Sequence, residues 1–167
     1  MAEHFLGTNV EVLYYDQHDN ECFYVATIVD ICEYGEILVQ FNETGVRDWV
    51  CVGCVYVTDM SLPRKKSVII GEKIEAQFRD RQFGMGWCEA HVVACNDKDI
   101  VVKFKTTHGH MKWSLEIDDI RAVNVNRVSI EQLIEAAQSL EMLKNQFIRP
   151  VDHGHLNRHG VGEQCND

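Results

Sequence analysis

The 167-residue chain has only two prolines, Pro63 and Pro150, and no apolar stretch near the roughly 18 residues a helix needs to cross a bilayer. Two prolines exclude a proline-rich extended chain, and the missing apolar run excludes a membrane-spanning helix. Basic residues are scarce where acidic ones are dense. Residues 1–62 hold one, Arg47, against eleven Asp and Glu, a net of −10. Such a segment repels polyanions and attracts cationic partners. Residues 63–127 carry twelve basic and nine acidic residues, net +3, and the remainder three against six, net −3. Only the middle segment tolerates a phosphate backbone. The opening MAEHFLGTNVEV lacks a basic stretch followed by an apolar one, so no secretory signal is read and the expected location is nuclear, cytoplasmic or both. In those reducing compartments the seven cysteines are expected to be buried small hydrophobes rather than disulfides. The rest is an ordinary globular composition, 46% hydrophobic and 25% charged, enough for one mid-sized domain or two small ones.

The chain repeats itself. Gly7 recurs as Gly71, Val10-Glu11-Val12 as Ile74-Glu75-Ala76, Asp16 as Asp80, Phe23 as Trp87, Ala26 as Ala90, Val29 as Val93 and Trp49 as Trp113, all offset by 64 residues. Ile37 to Phe41 matches Ile100 to Phe104 at 63, one residue being lost in the preceding turn. An offset shared by so many positions marks a duplication. Within each copy, β-branched and aromatic runs of strand length alternate with turn-type stretches: 10–15, 23–31, 36–41 and 49–57, then 73–79, 87–95, 99–105 and 111–117. Short antiparallel strands in units this small bury their faces by curling into a barrel. Residues 1–60 and 69–126 are therefore read as two barrels and 61–68 as their linker.

The period then changes. Ile130, Leu133, Ile134, Ala137 and Leu140 follow an i, i+3, i+4, i+7 spacing, Ser129 with Gln132 makes a capping box, and Pro150 forbids continuation. A helix is expected over 129–149, its Ile130, Leu133, Ile134 and Leu140 stripe docked on the barrels or on another protein. The polar, glycine-containing 150–167 reads as a flexible tail.

The strand V-E-V, the run Phe23-Tyr24-Val25-Ala26-Thr27-Ile28-Val29, then Leu38-Val39-Gln40-Phe41, with their second-copy counterparts, resemble the Tudor/Agenet branch of the Royal family. The paired arrangement, closing on Ile120-Arg121-Ala122-Val123-Asn124, is similar to the N-terminal tandem Agenet module of the fragile X protein family. The resemblance covers roughly residues 8–125. It implies a mainly β fold: two tandem SH3-like barrels, then one helix. It also implies an aromatic cage for methylated lysine or arginine, because aromatic faces attract a bulky, weakly hydrated cation. Carried onto the first copy, the cage positions are Tyr14 or Tyr15, Tyr24, Phe41 and the turn at Asn42 and Glu43. Phe78, Trp87, Phe104 and Trp113 are the weaker second-copy set, since Cys88 replaces the second-strand aromatic and Lys105 follows the third strand.

Several features carry a plainer reading. Phe23 and Trp87 are out of register with the Tyr24 side and read as packing. Cys51-Val52-Gly53-Cys54 has no second cysteine pair at zinc spacing, His153, His155, His159 and Cys165 fall in the tail, and Gly84-Met85-Gly86 reads as a hairpin turn. No catalytic constellation, metal site or cofactor is expected. The reading is a non-enzymatic binder of a methylated, histone-like basic peptide, with the second barrel as wall or scaffold. The alternative is a fragile X-type ribonucleoprotein scaffold that recruits proteins or RNA. For nucleic acid the candidate stripe is Arg64, Lys65, Lys66, Arg79 and Arg81.

Overall fold

The computed structural model describes residues 2–16, 20–32, 34–58, 63–96, 98–106 and 109–147; the expected tail, with its histidines and Cys165, and part of the expected linker lie outside them. The first copy forms β1 (Asn9–Tyr15), β2 (Glu21–Ile31), β3 (Glu36–Phe41), β4 (Arg47–Cys51) and β5 (Val55–Val57). The second forms β6 (Lys73–Asp80), β7 (Gly84–Cys95), β8 (Ile100–Thr106), β9 (Gly109–Leu115) and β10 (Ile120–Ala122). A short β11 (Val128–Ser129) leads into α1 (Ile130–Phe147). The alternation in β2 accounts for its placement: Cys22, Tyr24, Ala26 and Ile28 are buried, and the residues between them are partly exposed. The single run expected over 49–57 is divided by a 3-10 turn at Val52–Cys54.

The two copies are not beads on a linker. The eleven strands of the described residues form one hydrogen-bonded sheet, because the long strands β2 and β7 pair antiparallel across the seam. One edge of β2 gives Cys22–Tyr24 to β7 and its C-terminal part to β3. Likewise β7 gives Gly86–Cys88 to β2 and its C-terminal part to β8. At the centre Phe23 lies opposite its own repeat equivalent, Trp87, so the seam has approximate twofold character.

On the Phe23/Trp87 face two further repeat equivalents, Glu11 and Glu75, are buried. Arg121 Nη2 donates to Glu11 Oε1 at 2.6 Å and its Nε to Glu75 Oε2 at 2.7 Å. Arg127 Nε donates to Glu11 Oε2 at 2.7 Å and its Nη1 to Glu75 Oε1 at 2.5 Å. The Arg121 guanidinium stands 4.3 Å from the Trp87 ring centre and that of Arg127 3.5 Å from Phe23. To deliver Arg127 the chain crosses back: Asn124 Nδ2 donates to Thr58 Oγ1, and β11 pairs with β5 of the first barrel.

The helix docks by its first turns only. Ser129 Oγ accepts the Gln132 amide at 3.2 Å and Gln132 Oε1 accepts the Ser129 amide at 3.1 Å, closing the expected capping box. Ile130 is fully buried, and Leu133 and Ile134 are partly so. Leu140, expected in the docked stripe, is 60% exposed, with Met142 and Leu143 also exposed. The helix touches β5, β11 and the 3-10 turn and then runs beyond them.

Two measurements check this. Ile130→Ala should cost about 2–5 kcal/mol through the lost burial and the cavity left behind, whereas Leu140→Ala should stay within about 0.5 kcal/mol; thermal unfolding of both variants reads the difference. Burial raises the Glu75 carboxyl, but hydrogen bonds and charge from Arg127 and Arg121 overcome it and hold the group below the usual glutamate range. A carboxylate whose folded value is depressed stabilises the fold above its unfolded value, about 4.3, and loses that contribution as pH falls through the folded value. Urea midpoints measured across the acid range should therefore fall below pH ~4 in wild type. Glu75→Gln, already weakened by some 3–5 kcal/mol for a broken buried pair, should show a smaller acid-dependent decline.

Candidate functional site

On the opposite face of the β2–β7 pair the side chains of Cys22, Tyr24 and Cys88 point into the barrel interiors. Cys22 and Cys88 face each other with Cα atoms 4.4 Å apart and are joined as a disulfide. This corrects the expectation that the cysteines are unpaired core residues. Cys51 and Cys95 also depart from it, being exposed. The registry explains the pairing: directly opposed residues in a non-hydrogen-bonded antiparallel position stand about 4.5 Å apart, within reach of a disulfide.

Beside the disulfide lies a cavity of about 420 Å³ between the two barrels. Tyr14, Tyr15, Asp16 and Tyr24 line it from the first copy; Phe78, Arg79, Asp80, Phe83, Cys88, Phe104 and Trp113 line it from the second. The rings form a continuous path across the seam. Tyr24 meets Phe78 edge-on at 5.5 Å, Phe78 meets Trp113 at 6.5 Å, and Trp113 meets Phe104 at 5.2 Å. Gly86 makes this possible, since a Cβ there would stand 2.8 Å from ring carbons of both Phe78 and Tyr24. Gly84, with φ +84°, would place a Cβ 2.8 Å from that of Glu43. Both glycines belong to β7, so the hairpin expected at Gly84-Met85-Gly86 turns earlier, at residues 81–83.

The electrostatics favour positive charge. Tyr14 Oη donates to Asp48 Oδ2 at 2.5 Å, and burial with that carboxylate pushes the phenol far above its ordinary range. Burial, then the charges of Asp80 and Asp16, do the same to Tyr24. Asp16 accepts both the backbone and side-chain N–H of Asn20, at 2.9 and 3.0 Å. Asp80 Oδ1 accepts the amides of Gln82 and Phe83 at 2.7 and 3.0 Å. The cavity is thus walled by apolar rings and edged by acids, with Arg79 at its margin paired to Glu43 at 3.4 Å.

Of the residues assigned to a first-copy cage, Tyr14, Tyr15 and Tyr24 line this cavity. Phe41 is fully buried beneath Phe83, and Glu43 packs against Gly84 at the seam. Asn42 lies elsewhere, its side chain meeting Thr27 and Asn9. Three of the second-copy set, Phe78, Phe104 and Trp113, line the same cavity, so the two expected cages converge on one space. The fourth, Trp87, is on the other face beneath Arg64 and Arg121. Cys88 is part of the wall, while the Lys105 side chain lies outside what is described. Sequence reasoning missed Phe83, hidden in a turn-type stretch. Its clue was an aromatic at the repeat position where the first copy has Asp19.

The basic stripe is not assembled. Arg64 sits over Trp87 at 4.7 Å and donates to Gln77 and to the Asp118 carbonyl. Lys65 pairs with Glu72 and Arg79 with Glu43, while Lys66 and Arg81 are exposed. Among the described residues no group of three or more His, Cys, Asp or Glu is placed to hold a metal ion, and no helix is long and apolar enough to cross a membrane.

No family model matches the sequence, and no curated protein matches it. Solved structures do match in shape. The tandem Agenet domains 3–4 of AGDP1 from Arabidopsis thaliana superpose with a TM-score of 0.54 at 19% identity, over 72% of this chain and 84% of that one. The tandem Agenet domain 3–4 of ADCP1 does so with a TM-score of 0.52 at 19% identity, over 72% and 82%. At this identity the likeness shows the fold, and the fold is that of a tandem Agenet module.

Cysteine accessibility checks the seam. Alkylation of the native, oxidised protein should modify Cys51 and Cys95 first, and mass spectrometry should recover the Cys22 and Cys88 peptides linked until a dithiol reductant is added. Early labelling of Cys22 or Cys88 without reductant would contradict the pairing.

Proposed function

We propose that this protein is a non-enzymatic reader that takes a methylated lysine or arginine of a basic, histone-like peptide into the cavity between its barrels. The observation that carries this is the convergence of Phe78, Phe104 and Trp113 with Tyr14 and Tyr24 around one space edged by Asp16 and Asp80. Methylation makes an ammonium bulkier and less hydrated, so aromatic faces hold it by cation–π attraction at little desolvation cost. Carboxylates at the margin add charge complementarity, and the −10 of residues 1–62 steers a Lys/Arg-rich chain toward the same end. A volume of about 420 Å³ falls in the range of small-ligand pockets and exceeds what one methylated ammonium fills, leaving room for its aliphatic stem. The distal part of α1, with Leu140, Met142 and Leu143 exposed, supports a separate contact with other proteins.

Binding of trimethyl-lysine and dimethyl-arginine peptides, each against its unmodified form, tests the reading. A modified peptide should bind more tightly, and Trp113→Ala or Phe104→Ala should weaken it roughly 5–30-fold, as expected for losing about 1–2 kcal/mol of cation–π contact. Affinity should fall with added salt. If wild type and both variants bind modified and unmodified peptides equally, the cavity is not a methyl-cation site.

A further inference from the structure

The three rings that the resemblance assigns to a first-barrel cage already hold a fourth. Phe83 stands on the turn between β6 and β7 of the second barrel. Its ring lies nearly parallel to that of Tyr14, centroids 4.5 Å apart at 23°, and meets Phe41 at 4.8 Å and Tyr24 at 5.2 Å. An aromatic ring so placed takes up the apolar contacts that the methyl groups of a cation would otherwise make with those faces.

The turn is held there from both sides. Asp80 Oδ1 accepts the amides of Gln82 and Phe83, which fixes the bend. The backbone of Gly84 packs against Glu43 in the first barrel's β3–β4 turn, and Arg79 pairs with the same Glu43. The arrangement is not reciprocated in the sequence. Asp16/Asp80 and Phe23/Trp87 keep the offset of 64 on either side of this turn, so the first-copy equivalent of Phe83 is Asp19. The first copy therefore has no ring at this position to offer to Phe78, Phe104 and Trp113, which line the open cavity.

We infer that Phe83 is the internal occupant of a second, closed methylammonium site formed by Tyr14, Tyr24 and Phe41, so that the paired barrels present one open site instead of two. The ligand class rests on the proposed function; the occupancy by Phe83 does not. Phe83 thereby sets the selectivity of the module: one molecule engages one modified side chain, and the space over Phe41 between Tyr14 and Tyr24 is denied to any other.

Titration with tetramethylammonium chloride, followed by backbone amide NMR, tests this. In wild type, saturable shifts should be confined to the open cavity, with the amides of Phe41, Val46 and Asp48 unmoved. Phe83→Ala vacates the nest and should add a second saturable set at those three amides, raising the stoichiometry from one to two. Phe83→Leu refills the space and should not add it. Should Phe83→Ala fail to fold, Phe83→Val vacates part of the ring's place and is read the same way. The inference is overturned if the alanine variant gains no shifts at Phe41, Val46 and Asp48, or if wild type already shows them. If wild type responds nowhere but the alanine variant gains the nest set, the internal occupant stands and the open cavity is not the cation site.

Discussion

Two carboxylates that the duplication carries into the interior, Glu11 and Glu75, set the terms for the rest of the molecule. Each sits where its barrel has almost no water, and an ionised carboxylate left unpaired there costs several kcal/mol. The two guanidinia come from Arg121, in the last strand of the second barrel, and from Arg127, just after it. Each arginine bonds to both glutamates, so Glu11 of the first copy takes its ion pairs from the second copy's side. Desolvation offsets much of the cluster's Coulomb gain, whereas removing one partner leaves an uncompensated buried charge. The cluster ties the copies together with Phe23 against Trp87 and the guanidinia over their rings.

That relation decides what happens on the other side of the same two strands. Successive residues of a strand face opposite ways, so fixing Phe23 and Trp87 toward the ion cluster turns Cys22, Tyr24, Gly86 and Cys88 toward the barrel interiors. The seam then needs a residue without a side chain opposite Tyr24, because the Phe78 and Tyr24 rings close over that point; Gly86 meets the need. The repeat equivalent of Tyr24 is Cys88, too small to fill a barrel mouth, and its bond to Cys22 leaves room beside it. The cavity thus follows from two departures from strict repetition, Gly86 for Cys22 and Cys88 for Tyr24, where β2 and β7 pair.

Much of this was legible residue by residue. The offset of 64, the strand runs, the Ser129–Gln132 box and the aromatics Tyr14, Tyr24, Phe78, Phe104 and Trp113 all stand in the sequence, because local periodicity and capping report on local structure. What escaped was pairing between the copies. A strand's own alternation does not tell which neighbour shares its other edge, and β2 and β7 each divide one edge between two partners. Cys88 read as the loss of a cage because each copy was judged alone; beside Cys22 it is a wall. The half-docked helix escaped for a related reason: Leu140 has the spacing of Leu133 but lies beyond the end of the surface on which the helix rests.

The same asymmetry bears on the sign of the ligand. Phosphate recognition needs converging donors, and here the arginines beside the seam are engaged: Arg121 and Arg127 with Glu11 and Glu75, Arg64 over Trp87, and Arg79 with Glu43. The groups that face the cavity push the other way. The Tyr14 and Tyr24 phenols are held in their protonated form partly because Asp48, Asp80 and Asp16 make additional negative charge costly nearby. A phosphate entering that field meets the repulsion that keeps the phenols neutral, without the donors to offset its desolvation. An ammonium meets attraction from the carboxylates and from the ring faces together. Methylation then reduces the hydration the cation must surrender on entering a space whose walls are seven aromatic rings and a disulfide. On the function proposed above, charge would choose a cation over an anion, and the apolar walls a methylated cation over a bare one.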